Sequence, residues 1–317
     1  MPTAVLGIDT SAYTASLAVV DRAGIRFQQR LMVPVAGGQR GVRPQVAVFA
    51  HLRGVPALIA QALERLSPTD LALVAVSTRP RPVTDSYLPS FEVGHRLAEV
   101  LALSLHVPLV ATTHQEGHIR AAMVGAGGPY RERFYALHAS GGTTELLSAE
   151  WHSAGGLAKI RFLGGSDDLY AGQFVDRVGV RLGGPFPAGP YLERLATPDS
   201  DYPPLPVSLP RYHDGAWWIS FSGPEAEAGR RIERGDRPAL VAAAVEAAVA
   251  DALAALAGKF RAGPLLLAGG VAANQRIRNR LSARLLERDG WELYFAPPEL
   301  CRDNAVGVAY MGRDRIQ

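Results

Sequence analysis

The sequence predicts an α/β chain built twice over, a duplicated fold that holds a nucleotide between two lobes. Three observations predict it. The chain opens on a short apolar strand, a small polar turn and a second strand ("AVLGID", "TSAYT", "ASLAVVD", residues 4–21). The same device recurs at 133–150 in "RFYALHASGGTTELLSAE". A further strand, "PLLLAGG" (264–270), ends in glycines and runs through "VAAN" into an amphipathic helix. Apolar runs bounded by turn residues mark strands, and small-residue turns present backbone N–H groups that can hold phosphate.

Between these devices the elements follow in order. Residues 54–66, "GVPALIAQALERL", have helical spacing, and "LALVAVST" (71–78) reads as a buried strand. "SFEVGHRLAEVLALSL" (90–105) is a helix, and "PLVATT" is a strand that delivers the chain to "THQEGHIR" (113–120). The stretch 239–257, "ALVAAAVEAAVADALAALA", is apolar nearly all round. Glu246 and Asp251 interrupt it and alanine dominates, which predicts a buried helix rather than a membrane span, started by Asp236 and Pro238. We place the lobes at 1–111 and 112–317, with the last helix packing back on the first lobe. Hairpins facing each other across a nucleotide and metal cleft are the actin–hexokinase–Hsp70 arrangement. The periodicities alone fit an ordinary doubly wound sheet nearly as well.

Composition narrows the class. A chain of 317 residues with 48% hydrophobic and 20% charged residues can bury a large core and is expected to be soluble. The start carries no basic segment followed by an apolar run, so no signal peptide is expected, and a lone cysteine, Cys301, allows no internal disulfide. Both point to the cytoplasm. The net charge is a modest +3, and every basic residue except Lys159 and Lys259 is arginine. "GRRIERGDR" (229–237) and "NQRIRNRLSARLLER" (274–288) concentrate charge that nucleic-acid phosphates or a solvated helix face explain equally.

His114 and His118 stand four apart with Glu116 between them. On a helix beginning near Thr113 both imidazoles share a face and can reach one metal ion. A zinc protease places its glutamate directly after the first histidine; Glu116 comes two residues after, roughly 200° round the helix, away from the ligands. Proteolysis fails on that geometry. Two ordinary surface histidines satisfy the spacing as well.

"ASGGTTEL" (139–146) sets Gly141 and Gly142 among three hydroxyls, Ser140, Thr143 and Thr144, in a turn that a phosphate or an empty hairpin suits. "AGGVAAN" (268–274) is the same kind of signal, with Asn274 placed for a sugar or base. In "GQFVDRVGVRLGGPFPAGP" (172–190), Asp176 precedes a Gly/Pro-rich turn that a ribose can enter.

The order of these motifs resembles the TsaD family of tRNA threonylcarbamoyladenosine transferases, formerly described as O-sialoglycoprotein endopeptidases. The resemblance covers nearly the whole chain. It runs through "GIDTS" (7–11), "RGVRPQ" (40–45) with His51, "HQEGH" (114–118), "SGGTTEL" (140–146) and "GQFVDRV" (172–178), then "FPAGP" (186–190), "SFSG" (220–223), "GGVAAN" (269–274) and "CRDN" (301–304). It implies the actin-like bilobal fold, and a metal site of His114, His118 and Asp303 that suits one Fe2+ or Zn2+. It implies nucleotide contacts at Ser140, Gly141, Gly142, Asp176, Gly189 and Asn274. Asp9 and Ser11, in the opening motif, are the candidate catalytic residues.

The departures fall at cleft positions, which marks a divergent paralogue. Tyr13 and Thr14 stand where the family has an acidic pair, and "RPRPV" (79–83) replaces Gly-Pro-Gly-Leu, introducing Arg79 and Arg81. Thr143 replaces a histidine, Glu225 replaces a lysine, and Pro44-Gln45 replaces Pro-Glu. The activity implied is transfer of a threonylcarbamoyl group from an AMP-linked donor, or with ATP, to the amine of the tRNA adenosine beside the anticodon. Expected partners are tRNA, a second actin-like paralogue, a small ATPase or a second copy of the chain, and no membrane. The alternatives are a related transferase with another acceptor, which Arg79 and Arg81 would serve, and a non-catalytic nucleotide-binding scaffold.

Overall fold

The computed structural model describes residues 2–34, 42–66, 69–152 and 156–316; Arg40 and Gly41 of the "RGVRPQ" motif lie outside them. The chain divides into two compact units, 1–132 with 150–160 and 302–317, and 133–149 with 161–301. The first unit therefore takes in residues 112–132, which the sequence reading had placed in the second lobe.

The opening hairpin is β1 (Ala4–Thr10) and β2 (Thr14–Asp21), followed by β3 (Gly24–Met32). Helix α1 (Pro44–Leu63), β4 (Leu71–Ser77), α2 (Pro89–Leu105), β5 (Leu109–Thr112) and α3 (His114–Ala126) complete this stretch. The sheet runs β3-β2-β1-β4-β5. β1 pairs antiparallel with β2 and parallel with β4, as the apolar run of β4, buried on both faces, requires. Proline at the first turn starts both α1 and α2. Helix α1 begins ten residues before the expected start at 54. Gly54 does not break it: a Cβ there would lie 2.1 Å from Leu31 Cδ2, so the glycine lets α1 approach β3.

The second unit repeats the plan. The strands of its sheet are β6 (Arg133–Ala139), β7 (Thr144–His152) and β8 (Gly156–Ser166), whose stretch within 150–160 is counted with the first unit, then β9 (Arg211–His213), β10 (Ala216–Ile219), β11 (Pro264–Ala268) and β12 (Glu292–Phe295). Its helices are α4 (Ala171–Arg181), α5 (Gly189–Leu195), α6 (Ser222–Glu233), α7 (Pro238–Ala257), α8 (Gln275–Leu286) and α9 (Pro298–Cys301), with a 3-10 turn at Gly270–Ala273. The sheet order is β12-β11-β6-β7-β8-β10-β9. Without the added β9–β10 hairpin this is the order of the first sheet, with β6–β11 and β11–β12 parallel as β1–β4 and β4–β5 are. The duplication read from two hairpins is thus a duplication of whole sheets.

Helices α1 and α7 are both long and apolar enough to cross a membrane by length and composition. α7 is wrapped by its unit, burying Val241, Val245, Val249, Leu253 and Leu256, as a core helix should. α1 leaves Val46, Phe49 and Leu52 exposed. The start of α7 differs from expectation: Arg237 occupies the N-cap position, Pro238 follows, and Asp236 instead accepts a hydrogen bond from Tyr202 Oη at 2.7 Å. The chain then returns to the first unit for α10 (Val306–Arg313), which packs on β1, β4 and α3.

Candidate metal centre and nucleotide turns

In the first unit β5 ends at Thr112 and α3 begins at once. Thr113 is the N-cap: its hydroxyl accepts from Glu116 N, and Glu116 turns back to accept from Thr113 N at 2.9 Å. This capping box commits the glutamate to the helix end, so it is no base for a neighbouring metal. Further support comes from the "RPRPV" loop, where Arg79 O and Pro80 O accept from His114 N and Gln115 N, each at 3.0 Å. Arg79 itself is exposed.

Asp9, at the end of β1, is fully buried and accepts from the Ser77 hydroxyl. Both of its oxygens lie 3.0 Å from His114 Nδ1. That carboxylate selects the tautomer with the proton on Nδ1 and leaves Nε2 as a lone-pair donor. His114 Nε2 is 3.1 Å from His118 Nε2. Asp303 Oδ1 is 3.2 Å from His118 Nε2 and 3.8 Å from His114 Nε2. Ser11 Oγ donates to the other oxygen, Asp303 Oδ2, at 2.6 Å. Behind Ser11, His51 Nε2 meets the Ser11 carbonyl at 2.7 Å, and burial keeps this imidazole below its usual pKa despite that carbonyl and Asp9.

The three donor atoms fit one divalent ion. Ligand bonds of about 2.1 Å at roughly tetrahedral to right angles separate donors by about 3.0–3.4 Å. Two of the observed spacings, 3.1 and 3.2 Å, fall within that range, and the third, 3.8 Å, needs Asp303 to move a few tenths of an ångström toward His114. Two imidazole nitrogens at 3.1 Å also need a cation or a proton between them. Burial alone would lower the pKa of His114, but Asp9 and, more weakly, Asp303 outweigh it and lift it to about 9. Burial likewise would raise Asp303, and the two histidines hold it well below the usual carboxylate range. The cluster attracts positive charge.

In the second unit four glycine-marked turns meet. Between β6 and β7, Ser140 N donates to Thr143 O at 2.7 Å and Gly142 N to Ser140 Oγ at 3.3 Å, leaving Gly141 and Gly142 exposed. Thr144 is buried and accepts from Ala171 N at 2.8 Å, so it fixes the start of α4 rather than facing solvent. Gly172 N donates to Ser140 O at 3.1 Å, and a Cβ on Gly172 would lie 2.5 Å from Gly141 N. Asp176, one turn further along α4, accepts from Ala188 N at 2.7 Å just before Gly189 opens α5; burial raises its pKa against the pull of these amides. Gly269, at φ +91°, brings the 3-10 turn onto Ala139 O.

Asn274 is more committed than its sequence position suggested. It caps α8, accepting from Ile277 N at 2.9 Å, and donates to Glu246 Oε1 at 2.6 Å. Two carboxylates here were not among the expected site residues. Glu193, four residues after Gly189, accepts from Gln275 N at 2.7 Å and ties α5 to the start of α8. Glu246 is 2% exposed behind Asn274, its pKa pushed to about 7 by burial, against Asn274 and Arg276 and with help from Glu193. Of the two carboxylates inside the alanine-rich α7, Glu246 is the buried one, and its place in so apolar a helix was the available signal. Glu225 faces Arg181 at 3.7 Å, and the "SFSG" turn is held by Asp168, which accepts from Phe221 N and Ser222 N at 3.1 Å.

The arginine runs are largely spoken for. Arg280 and Arg284 bind Asp251, Arg278 donates to Ala272 O and Ala296 O, and Arg276 lies 3.4 Å from Glu246. Arg230 and Arg231 share Glu227.

A family model described as TsaD, tRNA N6-adenosine threonylcarbamoyltransferase, matches residues 29–310. The tRNA N6-adenosine threonylcarbamoyltransferase of Granulibacter bethesdensis is 34% identical, covering 100% of this chain and 89% of its own. The Geobacillus thermodenitrificans protein of the same name is 33% identical, over 97% of this chain and 90% of its own. Among solved structures, full-length HypF in its phosphate- and nucleotide-bound form superposes at TM-score 0.62 with 15% identity, over 99% of this chain and 47% of that one. Component A of the Acidaminococcus fermentans (R)-2-hydroxyglutaryl-CoA dehydratase does so at 0.59 and 15%, over 99% and 98%. These likenesses concern the fold, which is actin-like as the motif order implied, not an ordinary doubly wound sheet.

Proposed function

Because the chain belongs to the tRNA N6-adenosine threonylcarbamoyltransferase family, we propose that it transfers a threonylcarbamoyl group from an adenylate to the exocyclic amine of the tRNA adenosine beside the anticodon. The amine nitrogen attacks the carbamoyl carbon, the bond from that carbon to the phosphate oxygen breaks, AMP leaves with the electron pair, and the proton lost from the nitrogen passes to the departing phosphate or to water. The observation that carries the proposal is the donor set of His114, His118 and Asp303, spaced for a divalent ion and oriented by Asp9 and Ser11. When bound there, iron or zinc supplies Lewis-acid polarisation of the carbonyl. Asp9 holds His114 in the ligating tautomer, and Ser11 turns Asp303 Oδ1 toward the imidazoles. The exposed turn at Gly141 and Gly142 receives the AMP phosphate, with the Gly142 amide exchanging its bond to Ser140 Oγ for the phosphate, and Asp176, Gly189 and Asn274 receive the adenosine. No covalent intermediate is required, in keeping with the burial of the lone Cys301.

A second acceptor is favoured by one observation. Exposed Arg79 replaces a family glycine and its carbonyl binds the amide of His114, so an acidic acceptor would meet it. Partner proteins belong to the proposal too: Val46, Phe49 and Leu52 on α1 and Val100 and Leu103 on α2 offer an apolar face to an actin-like paralogue or a second copy. The test is reconstitution with threonine, bicarbonate, ATP, an adenylate-forming synthase and tRNA, with and without an actin-like paralogue and a small ATPase, read by nucleoside mass spectrometry. Modified adenosine that disappears in His118→Ala supports the reading. Unmodified tRNA under every combination transfers the argument to another acceptor.

A further inference from the structure

Asp303 lies just ahead of α10, and α10 is fastened to the rest of the unit at two places outside the three donor side chains. The first is a crossing of backbones. A Cβ on Gly307 would lie 1.8 Å from Gly117 O and 2.6 Å from Ala121 N, and a Cβ on Gly117 would lie 2.9 Å from Val308 Cγ2. Gly117 sits between the two histidines, so α10 crosses α3 against the ligating turn itself. On the other side a Cβ on Gly7 of β1 would lie 2.6 Å from Ala309 N. Asn304 joins Asp303 to this helix: its side chain donates to Arg302 O at 2.6 Å and accepts from Val306 N at 3.0 Å.

The second fastening is at the far end, about 12 Å further along α10. Arg120 of α3 is 3% exposed and binds Asp314 through a fork, Nε to Oδ2 at 2.7 Å and Nη2 to Oδ1 at 2.9 Å. Its guanidinium lies 4.6 Å from the Trp151 ring, 5.3 Å from Tyr310 and 5.9 Å from Tyr130. A bidentate pair fixes direction as well as distance, and rings on the guanidinium faces leave it one orientation. A cross-link from α3 to the end of α10 stops the helix sliding or turning about the glycine crossing.

We infer that Arg120 and Asp314 are positioning residues for the metal centre, a latch that keeps Asp303 in register with His114 and His118 through α10. The inference rests on the metal site proposed above. A latch that merely stabilised the unit would be replaceable by apolar packing, since exchanging both partners of a buried ion pair is often neutral or stabilising, whereas removing one is costly. A positioning latch is not replaceable in that way.

The experiment is Co2+ titration followed by visible absorption, with thermal unfolding in parallel, on the wild type, the Arg120→Met/Asp314→Leu double variant, Arg120→Lys and His118→Ala. The expected result is a double variant that unfolds near the wild-type temperature yet binds Co2+ about tenfold or more weakly, with an altered spectrum, in the range that supporting residues of metal sites show. Arg120→Lys, which keeps the charge and loses the fork, should weaken Co2+ by a smaller factor. Wild-type Co2+ affinity and spectrum in the folded double variant overturn the latch. If the double variant does not fold, Arg120→Lys decides: an unchanged affinity and spectrum overturn the inference, and a weakened, altered site upholds it. A wild type that binds no Co2+, or binds it as well after His118→Ala, removes the metal site itself and is recognisable as that separate failure.

Discussion

Glu246 shows how much one side chain can carry without being legible in a motif. Its pKa moves from an ordinary 4.5 to about 7 on burial, a shift that corresponds to about 3 kcal/mol of differential interaction between its two protonation states. The folded-state value is the higher one, so its contribution to stability is fully present below about 4.5 and is lost as pH rises through about 7. Above that, the carboxylate must be buried with Arg276 favouring its charge and Glu193 opposing it. Glu246→Gln should therefore match wild type in thermal unfolding at pH 5 and exceed it at pH 8. Parallel unfolding curves for the two proteins from pH 5 to 8 would dismiss this account. The histidine pair was legible because helical phase is arithmetic: a spacing of four shares a face, and Glu116 falls off it. Asp9 and Ser11 were legible only as motif members; that they grip His114 and Asp303 depends on strand ends and a helix distant in sequence.

Among elements, the contact of α4 with the β6–β7 turn is the most exacting. Gly172 leaves room for Gly141 and Ser140 to approach its own backbone, while the Thr144 hydroxyl and the Ser140 carbonyl accept from the first amides of α4. Gly172→Ala would push a methyl into Gly141 N and open the turn. If that turn holds phosphate, wild type should gain stability from ATP, about 2.7 kcal/mol at a hundredfold excess over Kd, and Gly172→Ala should lose most of that gain. The check is differential scanning fluorimetry with millimolar ATP; an equal ATP shift in both proteins would detach the turn from nucleotide. Strands and the buried α7 were readable because apolar periodicity and alanine content are local properties. The early start of α1 was not, because Gly54 serves a contact with β3 that no local pattern announces. Nor was the fate of the arginine runs, since a charge run looks the same in sequence whether it meets phosphate or Asp251.

At the scale of the molecule, the repeated strand order means that the chain carries one sheet plan twice, while the first unit is assembled from three separate stretches of sequence. The first borrows its last helix from residues after 302, and Ser11 meets Asp303 across 292 positions. A chain ending at Cys301 should keep the second unit's protection in hydrogen exchange, bind no Co2+ at the histidine pair, and leave β1 and β4 exposed where α10 had covered them. Retention of tight Co2+ binding by that truncated chain would disprove the assignment of Asp303. Because 185 residues separate His118 from Asp303, synthesis at 5–20 residues per second leaves the histidines without their carboxylate for on the order of ten to forty seconds. During translation, then, the proposed donor set would be two-thirds made and lack its carboxylate. If the centre takes an ion as proposed, loading would be a test of completeness: a prematurely terminated polypeptide, however well its first strands have paired, would not pass for the finished protein.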